Sequence, residues 1–417
     1  MHRDARSLVV NRALAVACVS MIFVSSSWAV NVSGKVLHSF SGNDGATPTG
    51  HLAIDAHGNV FGTTSNGGVG SGCGSSACGV VYELSPSGNG TTETILWTFT
   101  NGADGGGPQG GVILDGAGNL YGTTLYGGSG DGCGTVFQLT PNLNGGWTKN
   151  VLHNFNSLAG NDGCFPYSGL TFDAAGNLYG TTASGGTDLT GAIFELSPNL
   201  DGSWDYSVIY NFQEGGSGDG ANPHGTLVFD KTGNMYGTTL NGGPNNAGAV
   251  FQLVPSNGGW TESVIYVFDG PHGAGPYSGV ILDVKGDLFG MTSAGGADGL
   301  GLVYELTPSG GGWIYTLIHT FNGPSGAVPG PGSLLMDAAG NLYGETLYGG
   351  HQFGVVFELV PLQGGGWTDN VLHSFLNKAD GSNPSGGISM DAAGNLYGTC
   401  EHGGAGGFGI AFEGKVN

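Results

Sequence analysis

The sequence predicts an all-β protein, a seven-bladed β-propeller with four antiparallel strands per blade. Three observations carry the prediction. One pattern recurs seven times, each copy holds four strand-like runs, and the two ends of the chain carry complementary parts of a single copy. Propeller blades are four-stranded sheets arranged around an axis, each burying its faces against two neighbours.

The repeat is marked by Asp55, Asp115, Asp173, Asp230, Asp283, Asp337 and Asp391, spaced 53 to 60 residues apart. In the third copy the four runs are 169–173, 177–182, 192–196 and 206–212. Short β-rich runs bounded by Gly, Asn, Asp and Pro are strand signals, and no window holds a helical period. The first two runs are joined by Asp-x-x-Gly and then Asn or Asp, as in Asp173-Ala174-Ala175-Gly176-Asn177. This is turn chemistry: the aspartate accepts backbone N–H bonds and the glycine supplies a positive φ. Seven equivalent aspartates are therefore read as turn builders and not as a metal ring.

An aromatic residue then precedes glycine in every copy: Phe61, Tyr121, Tyr179, Tyr236, Phe289, Tyr343 and Tyr397. Together with Trp147, Trp204, Trp260, Trp313 and Trp367 at the starts of fourth strands, these are expected to pack between sheets, with the glycine permitting close approach. The ends predict closure. Lys35-Val36-Leu37-His38-Ser39-Phe40 matches the fourth-strand sequence Val371-Leu372-His373-Ser374-Phe375, while 409–413 is a third strand. The N-terminal strand can complete the last sheet and remove its free edge. A β-solenoid is the alternative, but it would need caps at both ends.

Composition narrows the setting. Glycine supplies 87 residues and charged residues only 10%, yet apolar and aromatic residues recur at fixed spacing between the glycines, so the chain is a turn-rich fold and not low complexity. There are 31 acidic residues against nine basic ones, and the only arginines are Arg3, Arg6 and Arg12. Such a surface repels nucleic acid and anionic lipid, leaving cationic, metal-bridged or neutral partners such as sugars. Residues 1–29 read as a signal peptide, with basic residues to Arg12, an apolar run from Ala13 to Val24, and Ser27-Trp28-Ala29 as a cleavage site. The apolar run is shorter than the roughly 20 residues a membrane span needs. Residues 30–417 are then one propeller, secreted or periplasmic, with no membrane span once the signal is removed.

Export permits disulfides. The mature part holds Cys73, Cys78, Cys133, Cys164 and Cys400, an odd number, and Cys73 and Cys78 share one glycine-rich loop where they can pair. No second pair at metal-ligand spacing follows them.

Copies such as Val151-Leu152-His153-Asn154-Phe155, leading to Gly176-Asn177-Leu178-Tyr179-Gly180-Thr181-Thr182 and a Gly-x-Val-Phe-Glu-Leu strand, resemble the GloVer tandem-repeat family of bacterial exported proteins. The resemblance spans nearly the whole mature chain and implies export, with no established activity or functional residues to carry over. Members often add a C-terminal surface anchor. This chain stops at Asn417, which favours release over anchoring.

No nucleophile elbow, His-Glu-x-x-His, P-loop or EF-hand loop is present, and 127–132 lacks the tandem copies of a calcium-binding β-roll. Loops at one channel mouth are the expected ligand site. The fourth-to-first loops carry Asp44, Asp104, Asp162, Asp219 and Asp380, with His272 and Ser325 in the other two copies. Five carboxylates on one rim would suit calcium, whereas Asp-Gly followed by Pro is also a turn. No other cofactor is evident.

Breaks in the repeat are more informative than its constancy. The second strand usually ends Gly-Thr-Thr, but copy five has Met291, copy six Glu345, and copy seven Cys400 followed by Glu401-His402. Glu345, His351, Glu401 and His402 are the candidate carboxylate–imidazole set for acid–base work or metal binding, against ordinary drift in loops. Tyr126, Phe165, Tyr167, Tyr277 and Tyr348 are the candidates for stacking on sugar rings, against simple loop anchoring. Two functions compete: a non-catalytic binding module for carbohydrate or another surface polymer, and an extracytoplasmic polysaccharide lyase or hydrolase. Calcium-dependent assembly is a third.

Overall fold

The computed structural model of the protein describes residues 34–69, 78–88, 90–156, 161–213 and 219–415. The expected signal peptide lies outside them. No helix among the described residues is long and apolar enough to cross a membrane.

Seven small antiparallel sheets form a seven-bladed propeller, with strands in sequential order in each blade. Blade 1 holds Ala46–Ile54, Val60–Asn66, Val80–Ser87 and Gly90–Thr98, and blade 3 holds Thr171–Phe172, Leu178–Thr182, Ala192–Pro198 and Trp204–Asn211. The first strand pairs regularly over only two residues in blades 3, 4 and 5, less than the sequence suggests. The reason lies next to the axis, where the residues just before it meet the neighbouring blade's backbone. A Cβ on Gly225 of blade 4 would lie 2.5 Å from the Gly279 amide nitrogen of blade 5.

Closure is as expected. Lys35–Ser39 pairs antiparallel with Ile410–Lys415, so blade 7 takes its fourth strand from the N-terminal side of the chain. Two distant chain segments thus complete one blade, with Lys35–Ser39 covering Ile410–Lys415 as the outermost strand.

The turn reading of the seven aspartates is correct in atomic detail. Asp173 Oδ1 accepts the amides of Ala175 (2.8 Å) and Asn177 (2.9 Å), and Oδ2 accepts Asn177 Nδ2 (2.9 Å). Two acceptor atoms thus satisfy three donors of one hairpin, leaving little capacity for an ion. The glycine after the aromatic is obligatory at Gly180, where a Cβ would sit 2.5 Å from Phe194.

The aromatic positions bridge blades. Phe61, Tyr121, Tyr179, Tyr236 and Phe289 each meet the tryptophan of the following blade, as in Tyr121–Trp204 at 5.9 Å. A second ring contact recurs at every seam: the Phe that follows each fourth strand meets the Phe or Tyr of the next blade's third strand. Phe155–Phe194 (5.3 Å) is one example, and Phe40–Tyr82 (5.1 Å) makes the same contact across the closure. Edge-to-face pairs of this kind add about 0.5–1.5 kcal/mol beyond the area they bury.

Candidate functional site at the channel mouth

The crossover loops that run from each fourth strand to the next blade's first strand share one device. The residue before the loop proline is Thr47, Gly107, Phe165, Asn222, Gly275, Val328 or Asn383, and every one has a positive φ, between 54° and 64°. Five of these are not glycine, and such strain persists only where surroundings over-determine it. Here the amide of each is held by a carbonyl of the preceding blade: Phe408, Cys78, Cys133, Thr190, Ala247, Leu300 and Phe353, at 2.7–3.0 Å. The proline then packs over the glycine that begins the preceding blade's third strand, so that a Cβ on Gly191 would lie 2.6 Å from Pro223 Cδ.

This latch aims the next residue at the axis. Thr49, Gln109, Tyr167, His224 and Tyr277 occupy the same position in blades 1 to 5 and line one cavity of about 470 Å³ with Ser293, Val328–Pro331, Leu347 and Glu401. Seven blades contribute to it, and ligand cavities of roughly 300–1,000 Å³ at such a convergence are the usual form of a binding site. A larger opening at the other end is lined by Asp230, Asp283, Asp337 and their turns, whose carboxylates are already engaged.

Three rings form an arc across blades 3, 4 and 5. His224 lies 4.6 Å from Tyr167 and 5.0 Å from Tyr277 between ring centroids. His224 Nδ1 donates to the Asn222 carbonyl (2.9 Å), and Asn222 Nδ2 donates to the Ala183 carbonyl (2.7 Å). Burial lowers the pKa of His224, so the imidazole is neutral at pH 7 and Nε2 is left as an acceptor. Burial, and next the Glu401 charge, raise the Tyr277 phenol. Among the described residues, no lysine or arginine lines the cavity and Glu401 is its only carboxylate.

Of the four Glu and His candidates, the structure brings only Glu401 and His402 together, with Glu401 Oε2 4.0 Å from His402 Nε2. Glu345 is only 3% exposed. Its Oε2 accepts the Gly387 amide of blade 7 at 2.9 Å, and its Oε1 is buried with no partner. It faces a protein interior because the Gly-Thr-Thr position points at the next blade's inner strand, as Thr238 does toward the Ser278 carbonyl. His351 Nδ1 lies 2.8 Å from Ser374 Oγ, on the outer side of blade 6. The expected common cleft does not form.

The rim aspartates are not brought together either. Each serves its own loop and its own outer strand. Asp162 accepts the amides of Asn156 and Gly163 and meets His153. Asp219 accepts those of Gln213 and Gly220 and the Tyr210 hydroxyl. Asp104 holds the Thr100 amide, Asp380 the Leu376 amide and Asp44 the Ser41 amide. Of the aromatic candidates, Tyr167 and Tyr277 enter the cavity. Tyr126 packs on Phe165 at 6.1 Å beside it, and Tyr348 stands half exposed on blade 6 outside it.

Gln109 and His224 are site residues that sequence reasoning missed. The available signal was the position after each loop proline, which holds different residues in different copies while its flanks repeat. Cys133 and Cys164 form a disulfide joining the latch partner in blade 2 to the loop of blade 3, with Cα atoms 4.7 Å apart. Cys78, the equivalent of Cys133, is also disulfide-bonded, and its expected partner Cys73 lies outside the described residues. Cys400 is a buried free thiol.

Fold and cavity together define a seven-bladed propeller with a blade-specific pocket at one mouth of its channel. The chain belongs to the Gloeobacter/Verrucomicrobia repeat family, whose profile matches residues 24–245 and 223–417. No curated protein matches it. Among solved structures it is similar to a proposed 6-phosphogluconolactonase from Bacteroides uniformis, at 14% identity and a TM-score of 0.50 over 79% of this chain and 86% of that one. It is also similar to a puromycin-hydrolysing peptidase from Mycobacterium tuberculosis, at 10% identity and a TM-score of 0.52 over 86% of this chain and 50% of that one. At such identities the likeness speaks to the fold alone.

Proposed function

We propose that this protein works outside the cytoplasm as a non-catalytic binding module, taking a neutral carbohydrate or similar hydroxyl-rich polymer at the channel mouth. The observation that carries this reading is the convergence of Gln109, Tyr167, His224 and Tyr277, one per blade, on a single cavity. Aromatic faces cover the apolar faces of sugar rings, while Gln109, Thr49, Ser293 and neutral His224 supply donors and acceptors for hydroxyls. The lack of a cationic side chain among the described residues of the lining disfavours phosphate or carboxylate ligands. The disulfide pairing Cys133 with Cys164 supports an oxidising compartment.

A glycan array followed by calorimetry on the best polymer tests the reading. Tyr277→Ala and His224→Ala are each expected to weaken binding at least about tenfold, the loss of one good stacking or hydrogen-bonded contact. Variants that bind as tightly as the parent, or a parent that binds no glycan, would overturn it. Depolymerisation of the bound polymer, lost in Glu401→Gln, would instead favour a lyase or hydrolase built on Tyr277, His224 and Glu401.

A further inference from the structure

At the seams that precede blades 2, 3, 5 and 6, a residue from the following blade's outer strand inserts against a residue of the preceding blade's outer strand. The occupants differ: Lys149 sits over Trp97, Tyr206 stacks on His153 at 3.6 Å, Tyr315 stacks on Tyr266 at 4.7 Å, and Asp369 pairs with His319. At the closure seam the same positions hold His38 of the N-terminal strand and Glu93 of blade 1, and the loop between them supplies Asp44. His38 Nε2 lies 3.1 Å from Asp44 Oδ2 and 3.6 Å from Glu93 Oε2, and one ligand atom from each residue falls within 4.8 Å of the others.

We infer that His38, Asp44 and Glu93 form a binding site for a divalent transition-metal ion of the zinc class, which would staple the closing strand to blade 1. Metal–ligand distances of about 2.0–2.2 Å in a tetrahedral site place neighbouring ligand atoms about 3.3–3.6 Å apart, and the two His38 distances span this range. One imidazole and two carboxylates suit zinc better than calcium, which prefers oxygen ligands alone.

The surroundings prepare the donors. The Ser41 amide (2.7 Å) and hydroxyl (3.0 Å) hold Asp44 Oδ1, which leaves Oδ2 directed at His38. Outer contacts of this kind orient metal ligands. The other Glu93 oxygen, Oε1, is buried without a hydrogen-bond partner. Two carboxylates face a single imidazole across the seam, so it holds more acidic than basic groups. A divalent cation supplies the missing charge. Among the described residues no other three-residue set of His, Cys, Asp or Glu comes this close.

The test uses the full mature protein after chelation and dialysis, titrated with Zn²⁺ by calorimetry and assayed for bound metal by mass spectrometry. One ion per chain is expected. Glu93→Gln, which keeps the shape of the side chain, should weaken Zn²⁺ binding at least about tenfold, and His38→Ala should abolish it. Zn²⁺ at about a hundredfold excess over the parent's Kd should raise the parent's Tm by about 3 °C and that of Glu93→Gln by no more than about half as much. No uptake of Zn²⁺, a preference for Ca²⁺, or equal binding by the parent and Glu93→Gln would overturn the site.

Discussion

Glu345 of blade 6 accepts a 2.9 Å hydrogen bond from the Gly387 amide of blade 7, and its other oxygen meets no partner. A carboxyl held this way is a neutral acid in the fold. Burial pushes its pKa up to about 8 from an ordinary 4.5, only partly opposed by the Gly387 bond. The folded state therefore keeps a proton that the unfolded chain has released between those values, and stability falls as pH rises from about 4.5 to 8. Glu345→Gln retains a similar shape without the charge. Melting curves should show the variant overtaking the parent as pH rises through this window, with the gap levelling above pH 8. Parallel curves from pH 4 to 9 would mean that Glu345 is not held neutral.

Lys149 produces the opposite slope. Its ammonium lies 5.6–6.0 Å from the rings of Trp97, Phe99 and Phe137, with Nζ buried and unpartnered. Burial lowers its pKa from 10.5 to about 8, despite the nearby Asp104 charge. The unfolded chain binds more protons between these values, so stability rises as pH climbs from about 8 to 10.5. Lys149→Met, fitting the same seam without a charge, should be more stable than the parent at pH 7 and lose this rise. Denaturant midpoints at pH 7, 9 and 10.5 give the comparison.

The disulfide between Cys133 and Cys164 closes a segment of 31 residues at a latch that the other blades hold by hydrogen bonding and packing. Chain entropy alone assigns such a crosslink about 3–4 kcal/mol. Replacing both cysteines by alanine should lower the unfolding free energy by up to that amount while leaving the circular-dichroism spectrum unchanged. A change below about 0.5 kcal/mol would show that the latch bonds suffice, as surface-level substitutions do.

Ring closure is testable through Phe40, which is fully buried against Tyr82 and immediately follows the closing strand. Phe40→Ala should cost about 3–5 kcal/mol by opening a cavity at the seam. Phe155→Ala, its counterpart between blades 2 and 3, should cost a similar amount, since both rings are completely buried. A much milder loss at Phe40 would mean that the N-terminal strand is a dispensable cover.

The parts of this protein legible in the sequence are those set by local chemistry. Asp173, Gly176 and Asn177 build a hairpin within five residues, and Gly180 yields space to a ring on the adjacent strand. Seven repetitions of such units, with Lys35–Ser39 matching a missing fourth strand, were enough to imply a closed propeller. The mouth was legible only in part. Tyr167, Tyr277 and Glu401 stood out as aromatic or repeat-breaking residues, while Gln109 and His224 did not, since neither forms a motif with its chain neighbours.

Those two residues reach the cavity because loops about 55 residues apart are brought round one axis and each is latched to the blade before it. Glu345 shows the same dependence from the other side. Its departure from Gly-Thr-Thr was visible, but whether it opened on solvent or on Gly387 rested on how blades 6 and 7 pack. Backbone propensities and turn chemistry act over a few residues and are written into the chain directly. Solvent access, charge state and the company a side chain keeps arise from contacts between distant segments, and these exist only once the ring has closed.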